Sequence, residues 1–184
     1  YEAVTTKDDG STLVDFLGMQ FPNTVLYSYA LSFSFLFTAL MLPLLTGIAD
    51  YSGKKRLFLK IFVYLGALAC AGMYFFDGPN VTFGILMAVL ASIGYSGSLV
   101  FYDAYLPEIA TPDRFDKLSA KGYSLGYIGS VILLIFNLVM IQMPEVFGLE
   151  DGTLPSRISF VTVALWWIGF AQIPFTRLPK NPFK

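Results

Sequence analysis

The stretch TGIADYSGKKR, residues 46–56, decides how this chain is read. One acid, two glycines and three bases share eleven positions between two long apolar blocks. Asp50 falls where an apolar helix is expected to end. A helix C-terminus carries partial negative charge, so an acid there needs a positive answer. The nearby bases or the N-terminus of another helix are the candidates. Gly53 permits the positive φ of a tight turn. Lys54, Lys55 and Arg56 suit a loop held against anionic headgroups.

Outward from this loop lie five blocks long enough to cross a bilayer, which takes about 20 mostly apolar residues. They run Thr24–Ala49, Leu57–Phe76, Val81–Tyr102, Gly122–Met143 and Ile158–Phe175. Their length and unbroken hydrophobicity predict helices rather than strands. Pro43 is expected to kink the first, and Pro174 stands near the end of the last. Only 14% of the 184 residues are charged and 55% are hydrophobic, with a mean hydropathy of +0.64. Soluble domains carry about 25% charged residues. Lipid is therefore the expected solvent, and the chain reads as one all-α polytopic transmembrane domain spanning residues 1–184.

The bases set an orientation. Lys54, Lys55, Arg56, Lys60, Arg114, Lys117, Lys121, Arg177, Lys180 and Lys184 fall on one side of the alternating spans, leaving only Lys7 and Arg157 of the twelve bases on the other. Bases near membrane ends favour the cytoplasm, which puts the N-terminal end outside and the C-terminal end inside. YEAVTTKDDGST at the start lacks the basic and apolar regions of a signal peptide. An odd number of spans with an outside start predicts a further helix before residue 1, and RLPKNPFK reads as the start of a cytoplasmic linker. DGPN, residues 77–80, reads as a minimal turn, and PEVFGLEDGTLPSR, residues 144–157, as an acidic, turn-rich connection.

The loop resembles the signature between the second and third helices of the major facilitator superfamily, Gly-x-Leu-Ala-Asp-Arg-x-Gly-Arg-Lys. Ala49, Asp50, Gly53, Lys54 and Lys55 fall in register. Thr46 replaces the first glycine and Tyr51 the arginine. A second stretch, FYDAYLPEIA at 101–110 followed by KGYSLGYIGSVILLIFNL at 121–138, is similar to the vacuole-effluxer-like branch of that superfamily. Tyr102, Pro107 and Glu108 match its aromatic-Tyr-Asn-Ala-Phe-Leu-Pro-Glu-Ile segment, and Asp103 stands at the asparagine. The resemblance implies a major-facilitator-type N-terminal half holding the second to sixth of twelve helices, without the first. It implies a secondary transporter moving a small solute, such as an amino acid or related metabolite, by alternating access. Its gating loop would be Asp50, Gly53, Lys54, Lys55 and Arg56, with Asp50 latching onto the opposite half. It also implies a multi-pass protein of the bacterial cytoplasmic membrane.

Other residues carry weaker signals. Gly122, Gly126 and Gly129 share one face of the fourth block and predict helix packing or bending, since small residues let helices approach closely in lipid. Asn137 stands in an apolar run, and its two readings are an interhelical hydrogen bond and a place on a substrate path. Tyr95 and Ser96 of the third block join it as candidate path residues. Asp103 is expected to order the following loop with Arg114 or Lys117. Hydroxyls of the first block, Ser28, Ser32, Ser34, Thr38 and Thr46, are expected to bond back to their own helix. Trp166 and Trp167, near the middle of the last block, predict bundle filling or a cavity wall.

Several function classes are disfavoured. The chain has no histidine, which removes His-based zinc sites and Ser–His or Cys–His nucleophiles. Cys70 is the only cysteine. Tyr102–Asp103 is similar to half of an intramembrane aspartyl protease site, but that chemistry needs two carboxylates sharing a proton. The expectation is therefore no enzyme, no cofactor, no metal and no nucleic-acid partner. The expected partners are the lipid bilayer, a small-molecule substrate and further helices of the same protein. A non-transporting scaffold or receptor is the alternative.

Overall fold

A computed structural model describes residues 13–77, 80–149 and 152–179. Lys7, Lys180, Lys184, the Gly78–Pro79 breakers of the expected turn, and Glu150 and Asp151 of the acidic connection lie outside the described residues.

Five long helices make the molecule: α1 (Asn23–Ser52), α2 (Lys55–Gly72), α3 (Val81–Asp103), α4 (Phe115–Gln142) and α5 (Leu154–Arg177). All five are long and apolar enough to cross a membrane. A 3₁₀ turn, Met73–Phe75, continues α2, and a single helical turn, Leu106–Ile109, follows α3. At 1.5 Å per residue α1 reaches about 45 Å, more than the hydrocarbon thickness of about 30 Å. Pro43 lies inside α1, and the helix continues through it to Ser52. Large apolar side chains such as Phe33, Leu36, Leu40, Ile132, Leu165 and Ile173 stand exposed. Water would penalise that surface; hydrocarbon does not. The chain is thus a polytopic helical membrane bundle.

The structure adds an element absent from the reading of the sequence. Strands β1 (Leu13–Phe16) and β2 (Met19–Pro22) pair antiparallel, with Phe16 opposite Met19. Leu17 and Gly18 turn between them at φ 51° and 80°. Two positive φ values match the right-handed twist of paired strands. Val14 packs with Leu26, Ala30, Val81 and Ile85, so the hairpin closes the end of the bundle where α1 and α3 begin.

The central packing is α2 against α3. A Cβ added at Gly94 would overlap the backbone of Gly66, and one at Gly97 would overlap the Phe62 ring. The helices therefore meet backbone to backbone, which only a pair of glycines allows. A Cβ at Gly66 would also run into Trp167 of α5, so three helices converge there. Phe101, fully buried, stacks between Phe58 and Phe62 at centroid distances of 5.4 and 5.6 Å. Gly122, Gly126 and Gly129, expected to serve helix packing or bending, make no comparably close approach among the described residues. An added Cβ meets nothing within 4 Å at Gly126, only the Tyr102 hydroxyl at 3.6 Å from Gly122, and only Trp166 at 3.9 Å from Gly129. Helical spacing locates a smooth face but not the helix that covers it. Among its described residues α4 buries only Asn137 and Met140.

α4 also begins at Phe115, seven residues before the expected Gly122. Its first two turns carry Asp116, Lys117 and Lys121, which lower hydropathy without opposing helix formation.

Candidate functional site

The chain turns from α1 to α2 through Gly53, at φ 64°. Lys54 N–H donates to the Ala49 carbonyl at 3.1 Å, the six-to-one bond of a glycine-capped helix end. That cap sets Asp50 and Lys55 side by side across the turn. Lys55 Nζ lies 2.9 Å from Asp50 Oδ1 and 2.9 Å from Glu108 Oε1. The acid at the negative end of α1 is thus answered by a base at the start of α2.

Glu108 joins the two signature stretches. It lies 53 residues from Lys55, on the turn Leu106–Ile109, with Pro107 exposed beside it. Its Oε2, the Tyr105 hydroxyl and Arg56 Nε are buried and form no hydrogen bond among the described residues. Burial differs sharply across the group: the Asp50 side chain is 60% exposed, Glu108 13% and Lys55 16%. Lys55 therefore holds one carboxylate inside the bundle and one outside. Lys54 is exposed and only Arg56 among the other loop bases turns inward. Sequence reading placed Glu108 in a signature but gave it no partner, because spacing along the chain carries no signal for a contact made through the fold.

Further contacts tie the same end of the bundle. Lys60 Nζ sits 5.5 Å from the centroid of the Phe175 ring, bringing the start of α2 to the end of α5. Asp103 Oδ2 accepts from the Tyr123 hydroxyl at 3.0 Å, joining α3 to α4. The expected partners of Asp103 were Arg114 and Lys117. Arg114 instead lies 3.7 Å from its neighbour Asp113, and Lys117 makes no ion pair among the described residues. At the opposite end, Arg157 Nε donates to the Tyr74 carbonyl at 2.6 Å and its guanidinium lies over the Tyr74 ring.

The membrane-embedded polar residues divide between two places. Asn137 Oδ1 accepts from the Thr162 hydroxyl at 2.7 Å, an interhelical bond between α4 and α5. Counting at 1.5 Å per residue from the level of Asp103 and Tyr123, Asn137 lies roughly 9 Å deeper than Tyr95. The structure does not bring Asn137 together with Tyr95 and Ser96. Tyr95 is exposed and meets Trp167 edge-on at 6.3 Å. Ser96 is half-buried beside it. The hydroxyls of α1 largely bond back to their own helix: Ser28 to Thr24, Ser34 to Ala30 and Thr46 to Leu42, each at 2.8 Å. The Thr38 hydroxyl is buried and has no partner among the described residues. The tryptophans take one role each. Trp167 fills the α2–α5 contact, and Trp166 lines an apolar groove of about 690 Å³ between α4 and α5, with Ile132, Phe136, Leu165 and Phe170.

Comparison with known proteins adds the family. Residues 3–184 match the family model described as "Vacuole effluxer Atg22 like". The uncharacterized MFS-type transporter YxiO of Bacillus subtilis (strain 168) is 33% identical over 156 residues, covering 84% of this chain and 36% of the relative. Autophagy-related protein 22-1 of Aspergillus terreus is 21% identical, covering 95% of this chain and 39% of its own length. Autophagy-related protein 22-2 of Aspergillus niger is 22% identical, covering 98% and 40%. The chain thus spans about two-fifths of the length of these curated relatives. No solved structure matches it. With a helical membrane bundle, both signature stretches joined through Lys55, and a family match over nearly its whole length, the chain belongs to the Atg22-like vacuole effluxer family of MFS-type membrane proteins.

Proposed function

We propose that this chain forms part of a secondary transporter that moves a small solute across a membrane by alternating access. The observation that carries the proposal is the divided ion cluster. Lys55 neutralises Glu108 within the bundle while Asp50, 60% exposed, faces outward at the end of α1. Such an acid is positioned to meet a second helical bundle and hold one side of the transporter shut. Bundles that rock about a central site need a contact of this kind, which forms in one state and breaks in the other. The family match and the similarity to the MFS-type transporter of Bacillus subtilis support the same reading.

Amino acids and related metabolites are the proposed cargo. The basic end, with Lys54, Lys55, Arg56, Lys60, Arg114, Lys117, Lys121 and Arg177, is proposed to be cytoplasmic, and the membrane to be the bacterial cytoplasmic membrane. The α4–α5 groove supports further helices of the same protein as partners. α3 packs against both α1 and α2, whereas the matching recess between α4 and α5 is open and lined almost wholly by apolar side chains.

Proteoliposomes containing the full-length protein test the proposal by uptake and release of labelled amino acids. Asp50→Asn is expected to lower flux by an order of magnitude or more. Full flux in Asp50→Asn refutes the gating role of the loop. No flux of any solute by correctly folded wild-type protein refutes transport and favours a scaffold or receptor.

A further inference from the structure

We propose that Asp103 and the tyrosines around it form a recognition site for an organic ammonium group. The proposal deepens the transport reading and rests on it for the aqueous cavity that the site would line.

The site is built where α3 and α4 meet. Tyr123 Oη donates to Asp103 Oδ2 at 3.0 Å, and the Tyr102 hydroxyl lies against Gly122, 3.6 Å from where a Cβ would stand. Helical repeats extend the surface inward from this contact. Tyr127 follows Tyr123 by four residues on α4, and Tyr95 precedes Tyr102 by seven on α3, so each pair shares a stripe of its helix. Taking 1.5 Å per residue, Tyr127 lies about 6 Å and Tyr95 about 12 Å deeper than the carboxylate.

All four tyrosines are exposed: Tyr95 58%, Tyr102 45%, Tyr123 45% and Tyr127 70%. Against lipid this placement is poor for Tyr127 and Tyr95, which lie inward of the carboxylate, because a hydroxyl in hydrocarbon loses its water without gaining a partner. An exposed tyrosine stripe at this depth instead suits the wall of a water-filled cavity. Tyrosine offers such a wall an apolar ring and a polar tip together.

Charge then selects the occupant. Asp103 has no base within ion-pair distance among the described residues, although Lys117 and Lys121 lie on the facing helix. One carboxylate oxygen is bonded by Tyr123 and the negative charge is left uncompensated. The site therefore favours a cation. A hard metal ion needs six or more oxygen ligands, and one carboxylate with scattered phenols does not supply them. An ammonium head suits the site better. Its N–H groups can bond the carboxylate, and aromatic faces attract both the charge and the alkyl chain behind it.

The test is equilibrium binding to the full-length protein in nanodiscs, read by the fluorescence of the tryptophans, Trp167 standing edge-on to Tyr95. Three probes share one branched alkyl chain: 3-methylbutylammonium, 3-methylbutan-1-ol and 4-methylpentanoate. The ammonium is expected to bind at least tenfold more tightly than the alcohol or the carboxylate. Asp103→Asn should remove that preference while leaving alcohol binding unchanged. Asp103→Glu should retain it, and Tyr127→Leu should weaken ammonium binding two- to fivefold. If Asp103→Asn does not fold, Tyr127→Leu decides the matter: a two- to fivefold smaller preference for the ammonium over the alcohol supports the site, and an unchanged preference overturns it. Equal binding of the three probes overturns the site, as does wild-type ammonium preference in Asp103→Asn. Binding that competes equally with sodium or potassium also overturns it, in favour of a metal-ion site. Flux and binding fail separately. Selective binding without flux defeats only the transport reading, and flux without ammonium selectivity defeats only this site.

Discussion

Replacing Lys55 by methionine removes the one cation between two carboxylates while keeping the length of the side chain. The gross attraction at 2.9 Å is about 6 kcal/mol per pair at an effective dielectric of about 20, and most of it is offset by the water each group gives up. Breaking a fully buried pair destabilises by about 3–5 kcal/mol, because the remaining charge is left buried and unpaired. Glu108 is 13% exposed, so residual solvent screening brings the cost just below that range, and Lys55→Met should cost about 2–3 kcal/mol. Asp50 is 60% exposed, so Asp50→Asn should change stability by less than about 1 kcal/mol. Glu108→Gln falls between, at about 1–2 kcal/mol, because Lys55 keeps Asp50 as a partner. The single and double variants of the full-length protein, unfolded reversibly in mixed micelles, measure these values. The double variant Lys55→Met/Glu108→Gln should be less destabilised than the sum of its parts by about 1–2 kcal/mol. Two results would refute the reasoning: additive effects, or Lys55→Met no worse than Asp50→Asn.

Gly94→Ala forces α2 and α3 apart, because the added methyl overlaps Gly66 backbone; a loss of about 2–3 kcal/mol is expected in the same unfolding assay. Tyr105→Phe removes a buried hydroxyl that has no partner among the described residues, so stability should hold or rise by up to about 1 kcal/mol, and a clear loss would reveal a partner outside them. Thr162→Val deletes the bond to Asn137 and should weaken the α4–α5 contact by about 0.6 kcal/mol, the average for interhelical bonds in lipid; a loss above about 2 kcal/mol would contradict a simple pairwise bond.

The helices could be read from the sequence because their signal is local. A block such as Val81–Tyr102 announces itself by length and by the absence of charge, and Gly53 marks its turn within three residues of Asp50. What escaped the reading depends on groups that meet through the fold. Gly66 and Gly94 are 28 residues apart, and neither looks different from Gly126 until a second helix is laid against it. Lys55 was legible as a loop base, but its hold on Glu108 arises only when α2 and α3 pack. The hairpin Leu13–Pro22 was missed because a two-residue turn built on Leu17 lacks the usual Asn or Asp ahead of Gly18. Asp103 was assigned to nearby bases on sequence proximity, whereas the fold gives it the Tyr123 hydroxyl, 20 residues away, and leaves Arg114 beside Asp113.

The sparse burial of α4 has a consequence for how the protein is put together in the membrane. Helices inserted singly associate later through side-chain packing, and α1, α2, α3 and α5 share tight contacts that α4 largely lacks. Among the described residues two polar clasps, Tyr123 to Asp103 near one end and Thr162 to Asn137 near the other, tie it to its neighbours. The bundle would therefore assemble around the α2–α3 pair first, with α4 joining last. The same economy of attachment would let α4 shift against the others without disturbing their packing.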